Sequence, residues 1–345
     1  MVTLGDVASR AGVSAASVSR VLNHPEKVRP ELRRRIEGVM RELGYVRDGA
    51  ARALASRHSF TIGNVVPTLG IGIFAEGVEA LQRRLEDFGY QLLVAACDYD
   101  EEKELRQVRA LIERGVDGVA LVGHRHAPDV YALLRARKLP YVNTYQFNRG
   151  NPHPCVGFDN RTGAFELTRH LIDHGHRAFG VVTAPPRLND RIAARLKGIL
   201  DGLAERAGEP FTVRVREVSQ SIADGRSATR ALLSECPGLT AICTTTDTLA
   251  IGALRECRAL GRRVPADISV SGFSDLRIAA ELDPPLTTVH IPAEELGRRI
   301  AEFLLDRISG RAGPSKVRLE ARVVIRGSTG PAPHPKLRRR RPPAA

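Results

Sequence analysis

The chain has 345 residues, a formal charge of +13 and no tryptophan. That length suits one large or two ordinary domains, and the basic excess favours an acidic partner, most often nucleic acid. No apolar run approaches the ~20 residues that span a bilayer. Charged residues interrupt the N-terminus at once, which argues against a signal peptide. We therefore expect a cytoplasmic, nucleoid-associated protein with no membrane partner.

The distribution of charge indicates where a partner binds, and the cysteines indicate the redox compartment. Residues 1–58 and residues 331–345 each carry a net +5, so the rest of the chain has an ordinary surface. The tail, residues 328–345, is rich in proline and arginine, which predicts disorder and nonspecific affinity for phosphates. The five cysteines form no CxxC pair and are expected to be reduced and mostly buried.

Residues 3–23, TLGDVASRAGVSAASVSRVLN, predict two short helices joined by a tight turn. Thr3 with Asp6 resembles a capping box, Gly12 suits a helix end, and Ser14 suits a second N-cap. Apolar residues recur at i, i+3, i+4 and i+7 in the first helix, namely Leu4, Val7, Ala8 and Ala11.

The second of these helices is predicted to bury Val18, Val21 and Leu22 and to expose its other face. The arrangement is typical of a helix-turn-helix, in which the second helix reads base edges in the major groove. A generic helical hairpin is the alternative. A third helix over residues 30–45 completes a compact headpiece, residues 1–46. Residues 47–58 follow as a linker that is too short for a stable isolated helix.

From Ser59 onward, strand-like runs alternate with amphipathic helical runs. This rhythm predicts parallel sheets covered by helices, and residues 59–327 suffice for two such lobes. Ligands in such folds bind beyond the carboxyl ends of the strands. We therefore expect a ligand cleft between the lobes.

Several stretches together resemble the lactose-repressor/galactose-repressor (LacI/GalR) family: TLGDVASRAGVSAASVSRVLN, RPELRRRIEGVMRELGY, ARALA, GFDNRTGAFELTRHLIDHGH, VPADISVSGFSD and PPLTTV. The resemblance implies an α/β fold with an N-terminal three-helix headpiece and a two-lobed, periplasmic-binding-protein-like effector domain with parallel sheets. It places the first lobe at about 59–158 and 288–317, and the second at about 159–287 and 318–327.

By this resemblance, two headpieces of a homodimer bind a pseudo-palindromic operator in double-stranded DNA, and the linkers form hinge helices in the minor groove. Leu54 is then the wedge that opens a base step; a buried contact with the headpiece is the alternative. Arg47 and Asp48 stand where the family usually has proline and asparagine. The predicted DNA contacts are Thr3, Leu4, Ser14, Ala15, Ala16, Ser17, Ser19, Arg20, Asn23, Ala51, Arg52 and Leu54.

The resemblance also implies a small-molecule effector in the cleft, with a sugar or sugar derivative among the candidates. Arg195 matches the family arginine that binds ligand hydroxyls or carboxylates. Thr246 and Ser274 replace an asparagine and an aspartate of sugar-responsive members, and Asp247 is alternatively a helix cap. The predicted effector contacts are Ile73, Phe74, His124, Asn189, Arg191, Arg195, Thr246, Asp247, Ser274 and Asp275.

Other chemistries find less support in the sequence. His170 and His174 have a metal-ligand spacing, with His176 nearby, but HLIDHGH also matches a helix end of the family, so no metal is expected. GVDGVALVG lacks the phosphate-loop pattern, so no cofactor is expected, and no catalytic triad appears. The sequence therefore predicts a transcription repressor and not an enzyme; a transporter's solute-binding protein and an α/β enzyme are the alternatives.

Overall fold

The computed structural model describes residues 2–47, 49, 53, 56, 58–205 and 210–333. The chain divides into two compact units, Met1–Phe60 and Thr61–Ala345, and each is described by itself. The predictions made for some positions lie outside the described residues, namely those for Asp48, Ala51, Arg52, Leu54 and the basic tail from residue 334.

The first unit contains the predicted helix-turn-helix. Thr3 and Asp6 form a capping box at the start of α1, and Gly12 ends α1 with a φ of 62°. The Ser14 hydroxyl caps α2 by accepting from the Ser17 amide at 3.2 Å. These three local predictions are confirmed. The helices are α1 (Leu4–Ala11), α2 (Ala15–Asn23) and α3 (Pro30–Glu42), with a 3₁₀ turn at Pro25–Lys27.

The three helices bury one small core, in which Val7, Val18 and Ile36 are fully inaccessible to solvent. Leu22, predicted to be buried, is only half-buried at the edge of this core. In the linker, the described residues Gly49, Ala53 and Ser56 have helical backbone.

The first lobe is a six-stranded parallel sheet in the order β11-β5-β4-β3-β1-β2. Its strands are β1 (Thr61–Val66), β2 (Gln91–Ala96), β3 (Gly118–Val122), β4 (Tyr141–Thr144), β5 (Cys155–Phe158) and β11 (Lys316–Leu319). Its helices are α4 (Gly72–Glu86), α5 (Glu101–Glu113), α6 (Pro128–Ala136) and α11 (Ala293–Ile308).

The second lobe is a four-stranded parallel sheet in the order β7-β6-β8-β9. Its strands are β6 (Ala178–Thr183), β7 (Thr212–Glu217), β8 (Ala241–Thr244) and β9 (Ser269–Ser271). Its helices are α7 (Asn160–Asp173), α8 (Asp190–Ala204), α9 (Ile222–Glu235) and α10 (Asp247–Ala259). An antiparallel pair, β10 (Thr288–His290) and β12 (Arg322–Val324), packs against α7.

The chain returns to the first lobe slightly later than predicted. Residues 288–290 pair with β12 and bridge to Ser274, so the crossing follows His290 and not residue 287. The second lobe also extends past the predicted end at residue 327. The Ser328 amide and carbonyl bond to Pro285 and Val270, and the Ala332 amide donates to the His174 carbonyl at 2.8 Å.

The five cysteines are free, and all but the half-buried Cys236 are buried, as the composition predicts. Among the described residues, no helix combines the length and the apolarity needed to cross a membrane.

Candidate functional site

The outward face of α2 is the first candidate site. Ala15, Ala16, Arg20 and Asn23 are exposed, and Arg20 is the one basic side chain of this helix. The half-buried Ser17 shares a hydrogen bond of 3.0 Å with the Ser14 hydroxyl. The face therefore presents small side chains at its N-terminal end, which permits a close approach to another surface.

The C-terminal end of α2 is held by Arg47, which is not among the predicted DNA contacts. The Arg47 guanidinium donates to the Leu22 carbonyl at 3.4 Å and to the Asn23 side chain. Asn23 in turn donates to the Ser19 hydroxyl at 3.2 Å. The one sequence feature that could have pointed to this contact is that Arg47 departs from the family pattern. Asn23 is thus fixed in position although its side chain is exposed.

At the start of the headpiece, the two other predicted contacts behave differently. Thr3 is exposed and uses its hydroxyl as the cap of α1. Leu4 is half-buried against the headpiece core, so its side chain takes part in packing.

The second candidate site is a cavity between the two lobes, where strands of both sheets end. Its volume is about 20 Å³, about what one water molecule requires, so a sugar-sized ligand needs the lobes or the side chains to move. The lining residues are Ile71, Ile73, Phe74, Tyr99, Tyr145, Asn189, Arg191, Ile192, Arg195, Gln220, Thr246, Ser274 and Ile291.

Most of the predicted effector contacts line this cavity: Ile73, Phe74, Asn189, Arg191, Arg195, Thr246 and Ser274. Tyr99, Tyr145 and Gln220 also line it and were missed. The Tyr145 hydroxyl donates to the Ile73 carbonyl at 3.1 Å, and its ring packs edge-on against Phe74 at 5.1 Å. Tyr99 and Tyr145 follow the carboxyl ends of β2 and β4, a position that could have identified them.

Backbone strain concentrates around the cavity. Tyr99, Tyr145 and Ser274 have φ angles of 62°, 63° and 138°. Residues other than glycine rarely adopt positive φ, and such strain costs about 1–3 kcal/mol at each position. Strained residues cluster at ligand sites because the surrounding structure holds them there, which supports a binding role for this cavity.

Two buried guanidinium groups face the cavity. Arg195 donates from Nε to Asn160 Oδ1 at 2.8 Å and from Nη1 to the Thr245 carbonyl at 2.9 Å. Arg191 donates from Nη1 to the Val122 carbonyl at 3.1 Å and to Asp190 Oδ1 at 2.9 Å. Burial, together with the neighbouring Arg191, lowers the pKa of Arg195 to about 9.

Asp247 is a predicted contact that does not line the cavity. It accepts from the Thr288 hydroxyl at 2.5 Å and from the Leu276 amide at 2.8 Å, and it is fully buried. Burial raises its pKa to about 6. Thr246, and not Asp247, caps α10, so the side chain of Asp247 braces the loop that carries Ser274.

Asp275 and His124 also lie outside the cavity lining. Asp275 pairs with His290 at 2.9 Å and with Arg326 at 2.7 Å, and it lines a wider groove beside α4 and the start of α11. His124 is half-buried, and burial lowers its pKa to about 4, so its imidazole is neutral near pH 7. The backbone amide of His124, and not its side chain, takes part in a contact between the lobes.

That contact, which we call the latch, joins residues 122–124 of the first lobe to residues 190–191 of the second. The His124 amide donates to Asp190 Oδ2 at 2.6 Å, and Arg191 donates across to the Val122 carbonyl. A separate ion pair joins Arg277 to Glu76 across the lobes at 3.3 Å. These bonds connect the two lobes at the edge of the cleft.

The histidine cluster near α7 has structural partners. His176 is fully buried, with Nδ1 at 3.0 Å from the Thr240 hydroxyl and Nε2 at 3.0 Å from the Gly330 carbonyl. His174 bonds through Nδ1 to the His170 carbonyl at 2.7 Å. Both side chains therefore tie the helix end to its surroundings.

Comparison with known proteins also divides the chain into a DNA-binding headpiece and a ligand-binding domain. Residues 3–48 match the family described as bacterial regulatory proteins, lacI family, and residues 168–329 match a periplasmic binding protein-like domain. The transcriptional regulator GntR of Escherichia coli K12 is 33% identical over 91% of this chain and 94% of its own length. The repressor CytR of the same strain is 31% identical over 96% and 97%.

Solved structures agree with these relatives. The lac repressor dimer bound to operator and the anti-inducer ONPF matches with a TM-score of 0.86 and 29% identity, over 95% of this chain and 99% of that one. The regulator CelR in complex with cellobiose matches with a TM-score of 0.69 and 31% identity, over 95% and 100%. These relatives are transcription regulators and not enzymes. The chain therefore belongs to the LacI family of bacterial DNA-binding regulatory proteins.

Proposed function

We propose that this protein is a cytoplasmic, homodimeric repressor whose affinity for a pseudo-palindromic operator is switched by a small molecule in the interlobe cleft. The observation that carries the proposal is the presence, in one chain, of an exposed recognition helix and a cleft whose two lobes are connected by polar bonds. A sugar or sugar derivative is the proposed ligand class, as in the relative solved with cellobiose.

For the DNA contact, we assign base reading to the N-terminal half of α2. The methyl groups of Ala15 and Ala16 are exposed and suit contacts with thymine methyls, whereas Arg20 supplies charged donors. Ser17 and Asn23 already have partners within the headpiece, so specificity leans further on DNA shape. Thr3, Leu4, Ser14 and Ser19 complete the proposed surface, with Ala51, Arg52 and Leu54 as proposed hinge contacts.

A second copy of the chain is the proposed partner of the β2 edge. Leu93 and Val94 on this edge strand are 36% and 37% exposed. A parallel edge strand with apolar side chains is a surface that proteins normally cover. A two-fold dimer also matches the symmetry of a palindromic site.

The proposed switch acts on the latch. A ligand that binds the closed and open lobes unequally shifts the balance between them, and operator binding shifts ligand affinity by the same factor. Asp190 and Arg191 connect the cavity wall to the first lobe, so ligand contacts and lobe position are physically linked.

The test begins with selection of genomic fragments by the full-length protein, followed by binding measurements on the selected operator. Arg20→Ala should weaken operator binding about 5- to 150-fold, because a specific base contact contributes about 1–3 kcal/mol. Arg83→Ala, which removes an exposed charge from α4, is the control and should leave binding unchanged. Equal operator affinities for Arg20→Ala and the wild type would contradict the assignment.

A further inference from the structure

Arg195 is a buried cation without an anionic partner. It is 6% exposed, its two assigned bonds go to the neutral oxygens of Asn160 and Thr245, and its guanidinium lies 4.0 Å from the centre of the Phe273 ring. Within the part of the chain that the structure describes, no carboxylate forms an ion pair with it. A buried charge lowers the stability of a fold unless it is paired. Arg195 is therefore expected to lower the stability of this domain.

A second guanidinium increases this imbalance. Arg191 is 4% exposed and shares the cavity wall, and its one carboxylate partner is Asp190 at 2.9 Å. Asp190 is therefore the one carboxylate in ion-pair contact with either described guanidinium, and Asp247 and Asp190 act on Arg195 only at longer range. The two remaining acids expected at the site, Asp247 and Asp275, are bound to other groups and do not line the cavity.

The neutral polar residues of the wall also turn donors toward the cavity. Asn189 Oδ1 accepts from the amides of Arg191 and Ile192, which leaves its NH₂ group for a ligand. The Thr246 hydroxyl accepts from the Leu249 amide, which leaves its proton for a ligand. These donors suit acceptor oxygens of a ligand, and the two buried guanidinium groups beside them favour acceptor oxygens that carry negative charge.

We propose that the effector is anionic, a small polyhydroxylated acid whose carboxylate or phosphate binds Arg195 and Arg191 while Asn189 and Thr246 donate to it. This inference deepens the proposed function and rests on it. Arginine forks bind both carboxylates and phosphates through paired donors. The apolar side chains of Ile73 and Phe74 lie on the opposite lobe's part of the wall and are placed to cover the carbon skeleton.

The test uses full-length protein at constant ionic strength and matched ligand sets. Gluconate and galactonate, glucuronate and galacturonate, and glucose 6-phosphate are each compared with glucose or galactose, with sodium sulfate as the control anion, by calorimetric titration and thermal shift. At least one acid should bind ten times more tightly than its neutral parent. Comparison of the sugar acids with glucose 6-phosphate then shows whether the site binds a carboxylate or a phosphate.

Arg191→Gln should weaken binding of that acid at least tenfold more than binding of the neutral sugar, because loss of the bond to the Val122 carbonyl affects both ligands alike. Arg187→Gln removes an exposed charge four residues before Arg191 in the sequence. It is the matched control and should leave both affinities unchanged. Arg191→Lys, which keeps the charge, should recover part of the affinity. If Arg191→Gln fails to fold, the comparison of acids with neutral sugars on the wild type alone decides.

Three results would overturn the inference: a neutral sugar that binds as tightly as its acid, equal losses for acid and neutral sugar in Arg191→Gln, or no acid that binds better than sulfate. Operator binding is measured in parallel. If the protein binds its operator but no acid binds to it, the anionic ligand is refuted and the DNA-binding function stands. If an acid binds tightly but does not alter operator affinity, the proposed switch is refuted and the ligand class stands.

Discussion

Gly123 offers a direct test of the latch. It follows β3 with a φ of 100°, and a Cβ built on it lies 2.2 Å from Arg191 Nη1 and 2.8 Å from Asp190 Oδ1. Because real Cβ atoms do not approach so closely, Gly123→Ala must displace the second-lobe side of the latch. Gly115→Ala is the matched control, since Gly115 has a φ of 71° and nothing within 4 Å of its Cβ position.

The expected magnitude follows from what each variant loses. A positive φ costs alanine about 1–2 kcal/mol, and both variants carry that cost. Only Gly123→Ala also loses a hydrogen bond from a charged group, worth about 1.5–3 kcal/mol. At about 1.4 kcal/mol per tenfold change, the latch should open roughly 10 to 100 times more often in Gly123→Ala than in Gly115→Ala.

Amide hydrogen exchange measures this opening without any ligand, because the His124 amide is itself the donor to Asp190. After correction for intrinsic rates, the His124 amide should exchange about 10 to 100 times faster in Gly123→Ala. It should be unchanged in Gly115→Ala. Equal protection of this amide in the two variants would refute the view that the latch bonds hold the lobes together.

Three further predictions address the headpiece, the linker and the second lobe. Ile36→Ala should cost about 2–5 kcal/mol and abolish DNA binding while leaving the effector-domain transition in calorimetry unchanged; Val46→Ala, at an 83% exposed position, should change neither. Leu54→Ala should weaken specific operator binding but not ligand binding, and equal operator affinities in gel shifts would sink the wedge assignment. Because the pKa of Asp247 is raised from 3.8 to about 6, its ionisation costs stability as pH rises. Urea unfolding should show the wild type losing about 2–3 kcal/mol relative to Asp247→Asn between pH 4 and pH 7; a constant difference would contradict this.

The headpiece was predictable because its signals are local. Thr3 and Ser14 each cap the amide three residues further along the chain, and Gly12 ends its own helix. Leu22 is the exception, because its partial burial at the edge of the core depends on tertiary packing and not on helix periodicity. Arg47 reaches back 24 residues to Asn23, a distance over which no periodic pattern operates.

The cavity was predictable only in part, for the same reason. Asn189 and Thr246 follow strands and begin helices, so sequence pattern places them at the cleft. Asp247 also stands at a helix start, but its partner Thr288 is 41 residues away, and that contact turns the carboxylate away from the cavity. Tyr99 follows the carboxyl end of β2, which is a sequence signal, but its positive φ of 62° at the cavity wall is not readable from the sequence.

Arg191 is where the two proposals meet. Its Nη1 group bonds to the Val122 carbonyl of the first lobe, and the same guanidinium belongs to the wall that we assign to the anion. A ligand anion that binds this guanidinium therefore changes the strength of an interlobe bond, which supplies the unequal interaction with open and closed states that any effector needs. Because linkage is reciprocal, Gly123→Ala, which weakens the latch without removing a donor, should alter the affinity for the acid as well as the exchange of the His124 amide. An unchanged acid affinity in that variant would mean that the anion and the latch use Arg191 independently.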